Sequence, residues 1–466
     1  MTNPSKHNLP LVSPALLLAG MIGAVLLAAS AVLLVRVAED RDIASLMLIA
    51  GWVVMIALAI APRTPRERTG AIATIIVASL AMRFYAIHFV SGVALGADPM
   101  NYTNIAHAML AGQGMTADDW RYGQDLRAYF PPLFPFLLTG WWHVFGDSAL
   151  STFVFNTLID LSSAWFLYDI VCRQVDAKAG RIAALLFFAY PPFALSAPIP
   201  QKEALTILLG ILLLRVALIW LSDKSGRLWR HGLPLGALWA LLALTQASLV
   251  LAPLAVALVL AAHRGFQPVL RLGLAAAPAF LIVMAPWWVR NWLLFGTFVP
   301  FTTASGFMRN VALGHYAVPI PPDIFKLPEP VRSTIMAKAT NARIMQVPFG
   351  FLSETARALA GSFAFEEATI ARFRHTTPPI SLADRAVWTA PLQFAWVTLL
   401  GGALANVVRE IRKGTSSLVT QISLALFIAT TAAGMWFEFG ERHRYILTPL
   451  FFILAAGWLA PRLRRF

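Results

Sequence analysis

The stretch LGLAAAPAFLIVMAPWWVRNWLLFGTFVPFTTASGFMRNVALGH, residues 272–315, decides how this chain must be read. Residues 272–290 are apolar and carry no charge before Arg290. At about 1.5 Å of rise per residue, a helix of that length crosses most of a bilayer core of about 30 Å. Trp287 and Trp288 stand where interface aromatics sit, and Arg290 with Asn291 ends the run. Beyond it the composition turns polar, with Thr302, Thr303, Ser305, Arg309, Asn310 and His315. This is a membrane span that opens into a loop.

The same pattern repeats on both sides. Apolar stretches occur near residues 12–35, 43–61, 69–90, 149–171, 182–198, 203–221, 232–246, 248–262, 272–290, 391–408, 416–436 and 445–460, twelve in all. The first lacks a convincing small-residue cleavage site and reads as a retained span. Composition agrees: 58% of the residues are hydrophobic, 13% are charged, and the mean hydropathy is +0.68. Such a chain is neither disordered nor an ordinary soluble domain. Its net charge of +14 would suggest nucleic acid in a soluble protein, but a multi-span protein accumulates Lys and Arg in cytoplasmic loops for topological reasons. With the N-terminus inside, eighteen cations fall on the inward side, from Lys6 through the groups at 63–68, 173–181, 224–230, 264–271 and 409–413 to Arg465. Only Arg36, Arg41, Lys202, Arg442 and Arg444 fall in short outward loops. Both termini are therefore expected in the cytoplasm, with an even number of spans. The single Cys172 provides no intrachain disulfide and no cysteine-based zinc site.

Two outward segments, 91–148 and 291–390, are too long to be turns, and any chemistry is expected there. Both hold aromatic amphipathic stretches suited to helices in the interface plane, such as Tyr129–Phe145. YFPPLFPF, residues 129–136, is expected to interrupt regular helix through its three prolines.

Asp98 followed by Pro99 is a strong helix start. The same carboxylate just outside a span, with Asn101 beside it and Tyr102 one helical turn away, is also placed to act as a general base. The two roles are compatible. Arg290 reads either as a snorkelling anchor or as a guanidinium able to hold a lipid phosphate through paired hydrogen bonds. Glu441, Arg442, His443 and Arg444 concentrate charge on an outward turn, which asks for a bound anion or for pairing with Glu438 and Glu441. Lys202 with Glu203 poses the same question. Within a span, Asp160 with Asn156 is costly, with Arg83 or Arg215 as partner. Asp118 with Asp119 and Glu366 with Glu367 read as solvated loop acids ahead of metal ligands, and no compact histidine metal motif occurs.

Four blocks resemble the GT-C superfamily of membrane glycosyltransferases, in particular bacterial members similar to family 39 protein mannosyltransferases and aminoarabinose transferases. Asp98, Tyr102, Ala106 and Gly112 resemble the first-loop motif, with Pro99 where the family commonly has Glu. Pro131, Pro132, Pro135 and Gly146 resemble the proline-rich return. Pro286, Trp287, Arg290, Asn291, Phe295, Gly296, Val299, Pro300 and Gly306 resemble the most specific block, and Glu441, Arg442, Arg444, Tyr445 and Pro449 the last outward turn. The resemblance spans about Ala97 to Pro449 and implies an all-α integral membrane protein. Its divisions would be two additional N-terminal spans over 1–68, a transmembrane core over 69–290, an outward loop with interfacial helices over 291–390, and C-terminal spans over 391–466.

The resemblance further implies transfer of a sugar, with inversion, from a polyprenyl-phosphate donor to an acceptor hydroxyl on a lipid, glycan or protein, at the outer face of a bacterial inner membrane. Asp98 would be the catalytic base, and Arg290, Arg442, Arg444 and Lys202 would hold the donor phosphate. Tyr102, Asn101, Tyr129, Arg309, His315 and Glu441 would line the substrate pocket. A lipid phosphate can be neutralised by guanidinium groups, so no cofactor is required and no metal is expected. Nucleic acid is not an expected partner. The rival readings are an O-antigen-ligase-like transferase and a transporter or flippase of lipid-linked sugars centred on Asp160 and Arg215.

Overall fold

The computed structural model of the 466-residue chain describes residues 13–39, 43–61, 64–91, 94–119, 122–366, 369–370, 382–436 and 440–462. Expectations resting on Lys6, Arg41, Arg63, Glu367, Glu438, Arg464 and Arg465 lie outside them. The helices are α1 (Pro14–Glu39), α2 (Ile43–Ile60), α3 (Pro65–Tyr85), α4 (Ala97–Leu110), α5 (Leu133–Phe145), α6 (Ala149–Gln174), α7 (Ala177–Ala189), α8 (Pro191–Ser196) and α9 (Glu203–Ser222). They continue as α10 (Leu228–Thr245), α11 (Ala252–Arg264), α12 (Phe266–Phe295), α13 (Ser305–Ala312), α14 (Glu329–Gln346), α15 (Pro348–Ala364), α16 (Leu382–Arg412), α17 (Leu418–Trp436) and α18 (Thr448–Arg462).

The protein is an all-α membrane protein. Among the described residues, eight helices are long and apolar enough to cross a bilayer: α1, α2, α3, α6, α9, α11 with its preceding turn, α12 and α16. Of the twelve expected stretches, 232–246, 416–436 and 445–460 are the helices α10, α17 and α18, which fall short in length or apolarity. The stretch 182–198 is not one helix. Local signals set the boundaries. Thr64 and Glu67 form a reciprocal cap on α3, with Pro65 at its first position. Asp176 caps α7 by accepting from the amides of Lys178 and Ala179. α12 ends at Gly296, which takes the left-handed conformation. Gly232 and Gly236 of α10 let it lie directly on α12, since a Cβ at Gly236 would meet the Ala276 carbonyl at 1.9 Å.

Three features depart from the sequence reading. A two-stranded antiparallel hairpin, β1 (Ala117–Asp119) and β2 (Gly123–Leu126), sits in the first loop. The proline-rich return is helical from Leu133 onward, because Pro132 caps α5 and Pro135 falls in its first turn, where no amide bond is lost. The fifth apolar stretch breaks at Tyr190 into α7, α8 and a non-helical passage to Glu203.

That break explains Asp160. Free carbonyls at membrane depth must find donors inside the protein. The Asn156 amide donates to the carbonyls of Ala197 and Ile199, both at 2.9 Å. Arg83 donates to the carbonyls of Phe188 (2.8 Å) and Phe193 (3.4 Å), and its fully buried guanidinium pairs with Asp160 at 2.6 Å. Arg215 pairs instead with Asp169. Arg83→Met should therefore leave both an unpaired acid and bare carbonyls, costing about 3–5 kcal/mol. Thermal melting of the purified protein in detergent checks this, and Arg83→Met with Asp160→Leu should recover part of the loss.

The residues before α3 are woven into the bundle. α1 packs on α16 and α17, and α2 on α16, α3 and α7. Gln393 donates to the carbonyl of Ala29 at 2.9 Å, and the Trp52 indole donates to Thr398 at 3.1 Å. At one end of the bundle the two long loops, with α4, α5, α13, α14 and α15, form a cap. We call this the loop end.

Candidate functional site

Three side chains from distant parts of the chain meet at the loop end. Asp98 lies in the first turn of α4, where a carboxylate complements the positive end of the helix dipole. Glu203 opens α9. Arg442 lies in the 3-10 turn Glu441–Ile446, whose entry is fixed by the Gly440 amide donating to Nδ1 of His443 at 2.8 Å. One guanidinium nitrogen of Arg442 stands 2.6 Å from Asp98 Oδ2 and 3.5 Å from Glu203 Oε1. The three side chains are between 12% and 19% exposed, so solvent still reaches them. One cation thus serves two carboxylates.

Beneath Arg442 and Glu203 lies a small polar cavity that also touches Asn156, Asp160, Gln201 and Tyr445. It sits over the helix break. A second cavity, of about 350 Å³ and walled almost entirely by apolar side chains, runs between α9, α10, α11 and α12 to Ile446, Pro449 and Leu450. The two take different residues from the same elements. On α9, Glu203 and Ile207 face the polar cavity, and Gly210, Ile211 and Leu214 face the apolar one. In the closing turn, Arg442 and Tyr445 belong to the first and Ile446 to the second. Residues about one helical turn apart on α9 therefore line a charged cavity and a greasy one.

The other anticipated residues are distributed differently. Arg444, expected to hold the donor phosphate, is fully buried and engaged: it donates to the carbonyls of Ser362 and Phe365, pairs with Glu366, and lies over the Trp396 ring at 4.2 Å. Arg442, two residues earlier in the same 3-10 turn, points elsewhere, because at three residues per turn the two side chains are about 120° apart. Arg290 also departs from the expected role. It donates to the backbone carbonyls of Arg127 (2.9 Å) and Met115 (3.3 Å) and to the side chain of Asn291, clamping the first loop onto the end of α12. Lys202 stands at the N-cap of α9 beside Glu203, and Glu441 begins the turn that carries Arg442.

The anticipated pocket residues of the first loop are packing residues. Tyr102 is buried edge-on against Phe130 and Phe134. Asn101 is buried and donates to Asp119 at 2.7 Å. Tyr129 is stacked on Tyr122 at 4.6 Å between ring centroids. In the second loop, Arg309 donates to Asn341 at 2.6 Å, and the exposed His315 faces Glu354 and Arg357. None of these five lines the polar cavity beneath Arg442.

Glu329, unremarked in the sequence, joins the loops. It accepts from the amides of Arg127 and Ala128 and from the Thr303 hydroxyl. Burial pushes its carboxyl above the ordinary range, opposed by those three donors and by Arg332. Asp118 accepts from the Asp125 amide at 2.7 Å, and Glu366 serves Arg444, Tyr190 and Tyr445. Among the described residues, no three His, Cys, Asp or Glu side chains gather as a metal site.

Comparison with known proteins bears on the fold. Residues 130–289, about a third of the chain, match the family model described as dolichyl-phosphate-mannose-protein mannosyltransferase. No curated protein matches in sequence. The oligosaccharyltransferase of Archaeoglobus fulgidus superposes in its apo form with a TM-score of 0.51 at 14% identity, over 84% of this chain and 51% of its own. The same enzyme in complex with Zn and sulfate gives 0.50 at 14% identity, over 84% and 49%. ArnT from Cupriavidus metallidurans bound to undecaprenyl phosphate aligns over 84% of this chain and 78% of its own at 14% identity, with a TM-score of 0.41. This chain spans about half the length of the archaeal enzyme. This chain shares the fold of the archaeal enzyme.

Proposed function

From a chain with this fold and four blocks that resemble the GT-C superfamily, we propose an inverting glycosyltransferase that takes its sugar from a polyprenyl-phosphate donor. The single observation that supports this reading is the placing of the two cavities along one helix, α9. An amphiphile with an anionic head and a long apolar tail matches a guanidinium-lined cavity at the start of that helix and an apolar groove farther along it. In the reaction, an acceptor hydroxyl gives its proton to Asp98 as its oxygen attacks the anomeric carbon. The bond from that carbon to the phosphate oxygen breaks, and the lipid phosphate leaves with the electron pair. Arg442 stabilises the charge that develops on it, and a single displacement inverts the anomeric centre.

Because the leaving group is neutralised by this cation, the reading needs no metal. The loop end faces away from the cytoplasm, both termini face it, and the membrane is a bacterial inner membrane. Asp160 and Arg83 favour this reading over a flippase, since their pairing and hydrogen bonds are accounted for by the helix break. The test is turnover by purified protein in detergent, given a polyprenyl-phosphate sugar, an acceptor-lipid or glycan mixture and a chelator, with no membrane gradient. Mass spectrometry should find a new glycosidic bond and free lipid phosphate. Donor movement across a vesicle without any new bond overturns the proposal, and activity that requires a restored divalent ion overturns its metal-free part.

A further inference from the structure

α4 carries Asp98 in its first turn, and its next turn is tied to the rest of the first outward loop. Asn101 donates to Asp119 of β1 at 2.7 Å, and the Tyr102 ring meets Phe130 edge-on at 5.8 Å between centroids. Positions 98, 101 and 102 are three and four residues apart, so they share one side of the helix. Where β1 and Phe130 lie therefore sets the direction of the Asp98 carboxylate.

Both are held by the first turn of α14, which belongs to the other outward loop. Glu329, 5% exposed, accepts from the amides of Arg127 at 2.7 Å and Ala128 at 3.2 Å, just ahead of Phe130. Thr303 binds the same segment and the same acid: its amide donates to the Ala128 carbonyl at 3.0 Å and its hydroxyl donates to Glu329. Arg290 takes the Arg127 carbonyl from the side of α12. Arg332, three residues after Glu329 and 3% exposed, donates to the carbonyls of Tyr122 and Gln124, both at 3.4 Å, where the β1–β2 hairpin turns. Gly123 permits that approach, since a Cβ there would meet the guanidinium at 2.2 Å. One buried acid and one buried base on a single helical turn thus hold the hairpin and the segment leading to Phe130. Hydrogen bonds to ionised groups are the stronger kind, so the grip is firm.

We propose that Glu329 and Arg332 are positioning residues for Asp98: α14 fixes the shape of the first outward loop, the loop fixes α4, and α4 holds the carboxylate opposite Arg442. The inference rests on the reading of Asp98 as the general base. It makes the second outward loop part of the catalytic apparatus without contact between that loop and the reacting atoms.

Hydrogen exchange of the full-length protein in detergent, read by mass spectrometry beside single-turnover kinetics, tests it. Glu329→Gln keeps the shape of the side chain but turns an amide donor toward the amides of Arg127 and Ala128. Exchange should rise over residues 97–102 and stay at the wild-type level in α6 and α9, which separates a local release from general destabilisation. kcat should fall by about tenfold to 10²-fold, the scale on which a displacement of about 1 Å acts, while the donor Kd changes little. Arg332→Lys keeps the charge but loses the planar group that reaches two carbonyls, and should shift exchange and kcat in the same direction. In the Asp98→Asn background, Glu329→Gln should cost almost nothing further. Unchanged exchange over 97–102, or a loss in Glu329→Gln that multiplies with that of Asp98→Asn, overturns the positioning role. Near-normal turnover in Asp98→Asn instead overturns Asp98 as the base, and raised exchange in Glu329→Gln then still supports the mechanical link from α14 to α4.

Discussion

Asp98→Asn should leave the protein folded and able to bind donor while lowering glycosyl transfer by about 10²–10⁴-fold, the usual contribution of a positioned general base. Asparagine keeps the size of the side chain, and the N-cap of α4 is Gly96, ahead of position 98, so the helix start survives. Arg442 loses one carboxylate partner but retains Glu203 at 3.5 Å. What disappears is the group that takes the acceptor proton. Single-turnover measurement of product, with donor binding followed separately, distinguishes the two functions: kcat should fall while the donor Kd changes little. Near-normal turnover in this variant would reduce Asp98 to a helix start. The chemistry would then move toward loop arginines and a histidine, as in the O-antigen-ligase-like reading.

The sequence made most of the long apolar helices legible, because hydrophobic length is a direct consequence of the bilayer. It also grouped Asp98 with Arg290, Arg442, Arg444 and Lys202 on chemical grounds, as a base and the cations that one reaction would need, and of these cations the structure places Arg442 2.6 Å from Asp98. Less legible was the environment of each arginine. Arg290, Arg442 and Arg444 look alike in sequence, all at the outer ends of apolar stretches. They differ only in the long-range partners that folding supplies: loop carbonyls for Arg290, Asp98 and Glu203 for Arg442, and Glu366 under Trp396 for Arg444. Glu203 was noticed beside Lys202 but given no role, since its partner lies 239 residues away. The break at Tyr190 was hidden for a related reason. Pro191 and Pro192 marked it locally, yet an apolar run of the right length reads as a span until the donors Asn156 and Arg83 are seen to satisfy its open carbonyls.

The contrast between Arg442 and Arg444 yields the second large effect. Arg442→Ala should reduce kcat/KM for the polyprenyl-phosphate donor by about 10²–10³-fold, the range found when one donor to a developing charge is removed. The protein should still be recovered folded, because Asp98 and Glu203 keep access to water. Arg442→Lys should recover part of the loss. A lysine restores the charge but not the two parallel bonds that a planar guanidinium offers a phosphate. Glu203→Gln should have a smaller effect, and in the Arg442→Ala background almost none, if Glu203 acts by holding the guanidinium in place; that non-additivity identifies it as a positioning residue. Arg444→Ala should behave oppositely, failing in folding and not in kinetics, because it strands Glu366 between Tyr190 and Tyr445 in a fully buried site. Donor-dependent kinetics of the Arg442 variants beside detergent melting curves of Arg444→Ala measure both effects. If Arg444→Ala melts like the wild type but loses donor turnover, the donor phosphate is held on the other side of the turn.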